Sequence, residues 1–437
     1  MKKRLLKILC IVLSFVIIIV SVTFIKKDKP ANQQIDITES TASETTTEAE
    51  TTTETTTETT EAETTTEATT IAETTTKKAP LFEFAPVSST SLELERLVIS
   101  VAEKYGAAAV QVATIKDGMV SQTAEYGWAV ANERPIETDT NMRIASLSKT
   151  PIGMVVFKLV EEGLLDIDAD ISDYLGVVVR HPEYPDLPIT LRMLLTHTSG
   201  LTDKSYQDSL EKIQNHLLTP EAYQEKPGQI FRYNNYGFGI AATICECVTG
   251  KSLNNLAKEY FFNPMGIDAS YLGGQLNPQK VATVYNSEHK VGLSVERQIG
   301  PKNDRNIPGR YMMLYAGGLT ISASDLAKLL TVFVNDGMYN GMQLLSMESI
   351  TQMQTPQLPN NYIQCMPIKK KVGLYNQEYM YHHSGSAYGT YSFYMYNPDS
   401  KIGAVVITTG AQLSRDRYGI YSVCGDIVDG IIKQNLL

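Results

Sequence analysis

Apolar positions are spread very unevenly along this chain, and their pattern divides it into three parts. Ile8 to Ile25 is a run of 18 residues without a charge. As a helix rising about 1.5 Å per residue it would reach roughly 27 Å, enough to cross the hydrocarbon core of a bilayer. Asp36 to Thr76 is the opposite case, with 21 Thr and ten Glu among 41 residues and almost no apolar side chain. Such a tract cannot offset the entropy of ordering itself, so it is predicted to stay disordered, and its like charges to keep it extended. Apolar periodicity returns near Phe82 and persists to the C-terminus. The predicted organisation is therefore a membrane anchor over 1–30, a Thr/Glu-rich stalk over 31–81 and one folded domain over 82–437.

Within the domain, Leu92 to Lys104 has the spacing of an amphipathic helix. Ala107 to Ile115 and Thr123 to Val130 are β-rich runs, separated by the hairpin signal Lys116-Asp117-Gly118. Ser146 to Glu162 is helical in pattern and closes at Gly163. Residues 165–310 mix short helical stretches with loops marked by Pro and Gly. Glu378 to His382, Tyr391 to Tyr396 and Ile402 to Thr409 read as strands, with Asn397-Pro398-Asp399 as a turn, and a helix from about Arg417 to Lys433 ends the chain. Strands at both ends of a helical middle predict an α/β (α+β) fold. Its antiparallel sheet is flanked by helices and split in sequence by a mostly α-helical insertion.

Charge refines the ends more than the middle. Residues 1–35 carry a balance of +6, residues 36–76 a balance of −11, and the remainder −5 of the total −10. The folded part is thus only mildly acidic and has no basic stripe, which argues against a nucleic-acid partner. Phe24-Ile25-Lys26-Lys27 offers no A-x-A-like cleavage site, so the apolar run is read as an uncleaved single-pass signal-anchor. Lys2, Lys3, Arg4 and Lys7 outweigh Lys26, Lys27 and Lys29, which orients the stalk and domain extracellularly. Beyond Cys10 in the apolar run, Cys245, Cys247, Cys365 and Cys424 show no C-x-x-C spacing and read as free thiols. No His or carboxylate cluster has metal-ligand spacing, and no metal or other cofactor is expected.

Three short motifs carry the chemistry. Ser146-Leu147-Ser148-Lys149 places a hydroxyl and an ammonium three residues apart, on one helical face. A hydroxyl is a poor nucleophile at neutral pH unless a base, a desolvated lysine or a helix terminus favours its alkoxide. Ser209 with Lys212 and Ser287 with Lys290 repeat the spacing, so only context singles out Ser146: strands before it and the apolar helix Ile152 to Val160 after it. Pro151 falls early in that helix and is expected to remove a hydrogen bond to the Leu147 carbonyl. Tyr233-Asn234-Asn235 is a Y-x-N; the phenol could accept a proton if the Lys149 cation lowered its pKa, although a packed aromatic would look the same. His383-Ser384-Gly385 follows the strand ending at His382, and Gly385 would let a substrate backbone approach closely. His382 and His383 alternate on the strand and cannot pair on one metal.

In this order and with wide gaps, the three motifs resemble the serine β-lactamase and penicillin-binding protein superfamily, over roughly residues 90–435. Y-x-N in the second motif resembles the class C β-lactamase-related branch, with its DD-peptidases and esterases. Supporting phrases are Val160-Glu161-Glu162-Gly163-Leu164-Leu165-Asp166, Ile189 to Leu201 around His197, Pro227-Gly228, Asn263-Pro264-Met265-Gly266 and Gly317-Gly318-Leu319-Thr320. The resemblance implies that Ser146 is acylated and that Lys149 and Tyr233 move protons. It implies that Asn235 holds a substrate amide carbonyl and that the backbone N–H groups of Ser146 and Ser386 form the oxyanion hole. His383, Ser384 and Gly385 would line the substrate, and His197 would be structural. H-S-G stands where class C β-lactamases have K-T-G, so a permanent cation is replaced by a titratable one. If His383 attracts a substrate carboxylate, the attraction should fade as pH rises past neutrality.

The expected function is therefore an extracytoplasmic serine hydrolase acting through an acyl-enzyme on D-alanyl cell-wall peptides, with β-lactams or small esters as alternative substrates. A penicillin-binding sensor or inert module is the reading from another class. A sensor would need an intracellular output, yet only seven residues precede the apolar run, and an inert module has no reason to keep every motif side chain.

Overall fold

The computed structural model describes residues 85–203, 207–300, 306–358 and 364–437. The predicted anchor at Ile8–Ile25 and the predicted stalk over 31–81 lie outside the described residues. Among the described residues, no helix is long and apolar enough to cross a membrane.

The main sheet is built from β1 (Val87–Ser89), β2 (Ala109–Lys116), β3 (Met119–Val130), β4 (Lys369–Val372), β5 (Tyr379–Ala387), β6 (Thr390–Asn397) and β7 (Ile402–Thr409). Across the sheet the order is β1-β3-β2-β7-β6-β5-β4, antiparallel throughout. The N-terminal and C-terminal strands meet where β2 pairs with β7, Ala109 opposite Thr409. Everything between β3 and β4 in sequence is the insertion: α2 (Lys149–Glu161), α3 (Asn235–Thr249), α4 (Met312–Gly317) and α5 (Ala323–Val334) among its helices. The predicted split sheet is what the chain forms.

Both faces of the sheet are buried, which is why its strands read as continuous apolar runs rather than as alternating ones. Ala109, Ala113, Ile115, Tyr394, Tyr396, Val405 and Ile407 pack on one side with the insertion helices. Val110, Val112, Phe393, Met395, Ala404 and Val406 pack on the other with α1 (Leu92–Tyr105) and α6 (Ser422–Lys433). Helix α1 shows how the sequence sets such an element. The Ser91 hydroxyl accepts the Leu94 N–H, Leu94, Val98, Val101 and Ala102 form its buried stripe, and Gly106 closes it at φ 61°. The hairpin between β2 and β3 turns on Asp117 and Gly118, whose φ values of 52° and 75° give the left-handed pair that a two-residue hairpin needs.

Three expectations shift. The C-terminal helix begins at Ser422 rather than near Arg417, because the Asp416 carboxylate accepts the N–H groups of Tyr418 and Ile420 and closes a turn there. The strand predicted to stop at His382 runs on to Ala387, so His383-Ser384-Gly385 lies within it. The helix predicted from Ser146 is a 3-10 turn, Ala145–Ser148, followed by the α-helix from Lys149. Pro151 is the third residue of that α-helix and has no N–H to offer the Leu147 carbonyl four residues back, as expected.

Candidate active site

The turn carrying Ser146 is held from several sides. Ala145, just before it, has φ 49°, a left-handed conformation unfavourable for a residue with a Cβ and sustained only by its surroundings. The Ser148 hydroxyl donates to the Ala145 carbonyl at 2.6 Å and accepts the Leu319 N–H at 2.9 Å. The Tyr271 hydroxyl donates to the Ser148 carbonyl at 2.6 Å. These ties present Ser146, half-buried, at the N-terminus of α2.

Lys149 is fully buried beneath it. Its Nζ donates to Ser146 Oγ at 3.2 Å, to Asn235 Oδ1 at 2.8 Å and to the Ala316 carbonyl in α4 at 2.7 Å. The faces of Tyr233 and Phe238 lie 5.0 and 5.7 Å from it. Burial lowers its pKa to about 7, against the opposing pull of Asp203 and with a further lowering from the Lys369 cation. The two rival spacings are not built this way. Ser209 caps a surface helix by accepting the Lys212 N–H, while the Lys212 ammonium pairs with exposed Asp208. Lys290 is exposed and pairs with Glu288.

Tyr233 and Asn235 arrive from the segment leading into α3. Asn234 caps that helix, its side chain accepting the Gly237 N–H at 2.6 Å. Asp203 adds a second cap by accepting the N–H groups of Asn235 and Tyr236 at 2.6 and 2.8 Å. Asp203 also accepts from Asn235 Nδ2 at 2.9 Å, which turns the Asn235 carbonyl oxygen toward Lys149. One proton of the Asn235 amide is thereby engaged within the protein. His197 backs the segment: its Nδ1 accepts the Asn234 N–H at 2.9 Å and its ring lies 4.3 Å from that of Tyr233. Burial beside the Lys149 and Lys369 cations keeps His197 neutral.

The third motif closes the site along β5. An added Cβ at Gly385 would lie 2.5 Å from Ser392 Oγ, 2.7 Å from the Ile144 carbonyl and 3.0 Å from the Ser146 nitrogen. Glycine is needed there because the strand packs against the Ser146 turn of its own chain. Ser384 is half-buried and Ser386 exposed. The adjacent histidines point to opposite faces as expected, His382 toward Phe393 and His383 toward Tyr394. His383 is 2% exposed, its Nδ1 donates to the Ser384 carbonyl at 2.8 Å, and its Nε2 has no partner among the described residues. Burial, with Lys369 and Lys149 nearby, drives its pKa well below the usual imidazole value. The expectation of a cation at His383 that titrates near neutrality is therefore not met.

Sequence reasoning missed Asp203, the Ala316 carbonyl and Lys369. Asp203 stands two residues after the Thr196 to Leu201 run and could have been flagged from that position. Lys369 opens the run Lys369-Lys370-Lys371, which by itself reads as a charged edge strand.

Fold and site together define a mixed α/β protein of the β-lactamase/transpeptidase type: an antiparallel sheet between helical layers, with a Ser-x-x-Lys turn against one strand. The family model described as Beta-lactamase matches residues 94–422, and the chain belongs to that family. It is 27% identical over 273 residues to the lovastatin esterase of Penicillium rubens, covering 53% of this chain and 67% of the esterase. It is 23% identical over 308 residues to the protein flp of Staphylococcus aureus, covering 67% of this chain but only 58% of flp. In fold it resembles the class C beta lactamase from Rhodobacter sphaeroides, with a TM-score of 0.62 at 19% identity over 79% of this chain and all of that one.

Proposed function

We propose that this chain is an extracytoplasmic serine hydrolase that acts through an acyl-enzyme on Ser146, with D-alanyl cell-wall peptides as its substrate class. The observation that carries the catalytic part is the Lys149 contact set. An ammonium has three N–H donors and a neutral amine has two plus a lone pair. The shorter bonds, to Asn235 Oδ1 and the Ala316 carbonyl, occupy two N–H groups, so the lone pair of neutral Lys149 faces Ser146 Oγ. With its pKa near 7, about half of the lysine is in this form at neutral pH, and it can take the hydroxyl proton as Ser146 attacks a carbonyl carbon.

The carbonyl oxygen becomes an oxyanion held by the N–H groups of Ser146 and Ser386, at the place where β5 lies against the nucleophile turn. Tyr233, whose ring lies 5.0 Å from Lys149 Nζ, passes the proton to the leaving amine or alkoxide. Water then repeats the sequence on the acyl-enzyme and frees the acid. Asn235 and Ser384 orient the substrate. The apolar run Ile8–Ile25 and the Thr/Glu tract support a single-pass anchor that leaves the domain outside the cell, where such peptides are found.

A second reading, hydrolysis of small esters, is favoured by the identity with lovastatin esterase. A panel of penicillin, a chromogenic cephalosporin, a D-Ala-D-Ala peptide and p-nitrophenyl esters, followed by mass-spectrometric mapping of the acyl adduct, tests both. The proposal expects the peptide to be the best substrate and the adduct on Ser146. Turnover of esters alone selects the second reading, and an adduct on Ser209 or Ser287 overturns both.

A further inference from the structure

The turn that joins β5 to β6 is Tyr388-Gly389, flanked by the facing pair Ala387 and Thr390. Both turn residues have positive φ, 56° at Tyr388 and 101° at Gly389. A two-residue hairpin of this kind favours Asn, Asp or Gly at its first position, and a bulky side chain there is strained. Backbone packing sustains the strain. A Cβ added at Gly292 would lie 2.4 Å from the Tyr388 carbonyl oxygen, and one at Gly389 would lie 2.2 Å from the Tyr285 carbonyl oxygen. The side chain, by contrast, is 46% exposed. Its ring meets the Arg143 guanidinium, whose carbon lies 5.6 Å from the ring centre. Arg143 precedes Ser146 by three residues, and its Nε donates at 3.2 Å to the Gly317 carbonyl, next in the chain to the Ala316 carbonyl that holds Lys149.

Position gives this ring a direction as well. Gly385 stands against the Ser146 nitrogen, and Tyr388 follows three residues later, roughly 10 Å at strand spacing. Tyr233 belongs to the other end of β5: through His197 and Phe231 it adjoins Lys369, which pairs with His382. With Tyr233 directing its proton to the leaving group, the acyl portion of the substrate extends toward Tyr388.

We propose that Tyr388 is the specificity-determining residue for the acyl portion of the substrate, and that it stacks on a flat, unsaturated group about 10 Å from the reacting carbonyl. An aryl ring and a peptide plane share that chemistry. The proposal rests on the serine acyl-enzyme reading above and deepens it by naming what the acyl side of a peptide or ester substrate carries. The Arg143 guanidinium lies over one face of the ring and sets its tilt, and the exposed face is left for substrate. Tyr388 takes no part in bond breaking. The strained turn places a ring beside the oxyanion strand, where Asn or Gly would suit the backbone but offer nothing to stack on.

The test uses acylaminomethylboronic acids, whose trigonal boron accepts a serine oxygen and forms a tetrahedral adduct without turnover. Kd values for the acetyl, phenylacetyl, cyclohexylacetyl and N-acetylglycyl compounds are compared across wild type, Tyr388→Asn and Tyr388→Phe. Phenyl and cyclohexyl have nearly equal bulk, so a difference between them reads the flat face. Wild type is expected to favour phenylacetyl over cyclohexylacetyl, or N-acetylglycyl over acetyl, by about threefold to tenfold, the scale of one aromatic stack. The first preference marks an aryl group and the second a peptide plane. Tyr388→Asn should lose the preference, keep its Kd for the acetyl compound, and melt at or above wild type, because Asn tolerates the left-handed turn. Tyr388→Phe should retain the preference. A wild type that favours neither planar compound, or a Tyr388→Asn that keeps the preference or melts below wild type, overturns the Tyr388 assignment alone. If no compound binds, or if binding survives Ser146→Ala, the serine reading falls and takes this proposal with it.

Discussion

Lys149 Nζ approaches Ser146 Oγ at 3.2 Å while its two shorter hydrogen bonds run to Asn235 Oδ1 and the Ala316 carbonyl. The longest of the three contacts is the one to the serine that is the proposed nucleophile. A lysine held this way is fixed by its permanent partners and can exchange a proton with the third.

This arrangement sets a pH profile. Lys149 must lose its proton to act, and its pKa is lowered to about 7, so kcat/KM for an uncharged ester should rise with pH through a midpoint near 7 and then level. Lys149→Arg cannot supply a neutral base, because guanidinium stays protonated, and should cost about a thousandfold in kcat/KM. Stopped-flow or steady-state rates across pH 5 to 9, in about half-unit steps, check both. A profile without an acidic limb would show that Lys149 is not the base.

Asp203 acts on the same titration from behind. Its charge raises the Lys149 pKa, so Asp203→Asn should move the acidic limb to lower pH, not higher. The variant also weakens a helix cap and the hold on Asn235, at a cost of about 1 kcal/mol in stability. Rates and thermal melts on one preparation separate the effects, and a limb that moves upward contradicts the assignment.

Gly385→Ala tests the approach of β5 to the nucleophile turn. The new methyl group would meet Ile144, Ser146 and Ser392 atoms at 3.0 Å or less, so the strand or the turn must shift. The expected loss is about 1–3 kcal/mol of stability together with most of the acylation rate. Gly317→Ala is the control, since the nearest atom to its Cβ outside its own helix would be the Ala145 carbonyl carbon at 3.9 Å, and it should melt close to wild type. Equal melts and equal acylation for both variants would remove the argument.

Much of this protein was legible before any coordinates. The apolar pattern gave α1 nearly to the residue and the β2–β3 turn correctly, because a 3.6-residue stripe ending at Gly106 and an Asp117-Gly118 turn are locally determined, although β3 starts at Met119, four residues before the expected Thr123. The motif spacing singled out Ser146, Lys149, Tyr233, Asn235 and His383-Ser384-Gly385, since each group of residues is close in sequence, but not that the last group lies within a strand running to Ala387. What the sequence could not carry was the state of those residues. The pKa of Lys149 and the neutrality of His383 follow from burial among groups more than 80 residues away in the chain, such as Asn235 and Ala316 for Lys149. The Ser146 turn is held through Ser148 by Leu319 and Tyr271, which lie 171 and 123 residues away in the chain. Local sequence determines which groups are available. Desolvation and through-space charge, which act over distances that chain order does not encode, decide which of them are cations, bases or packing.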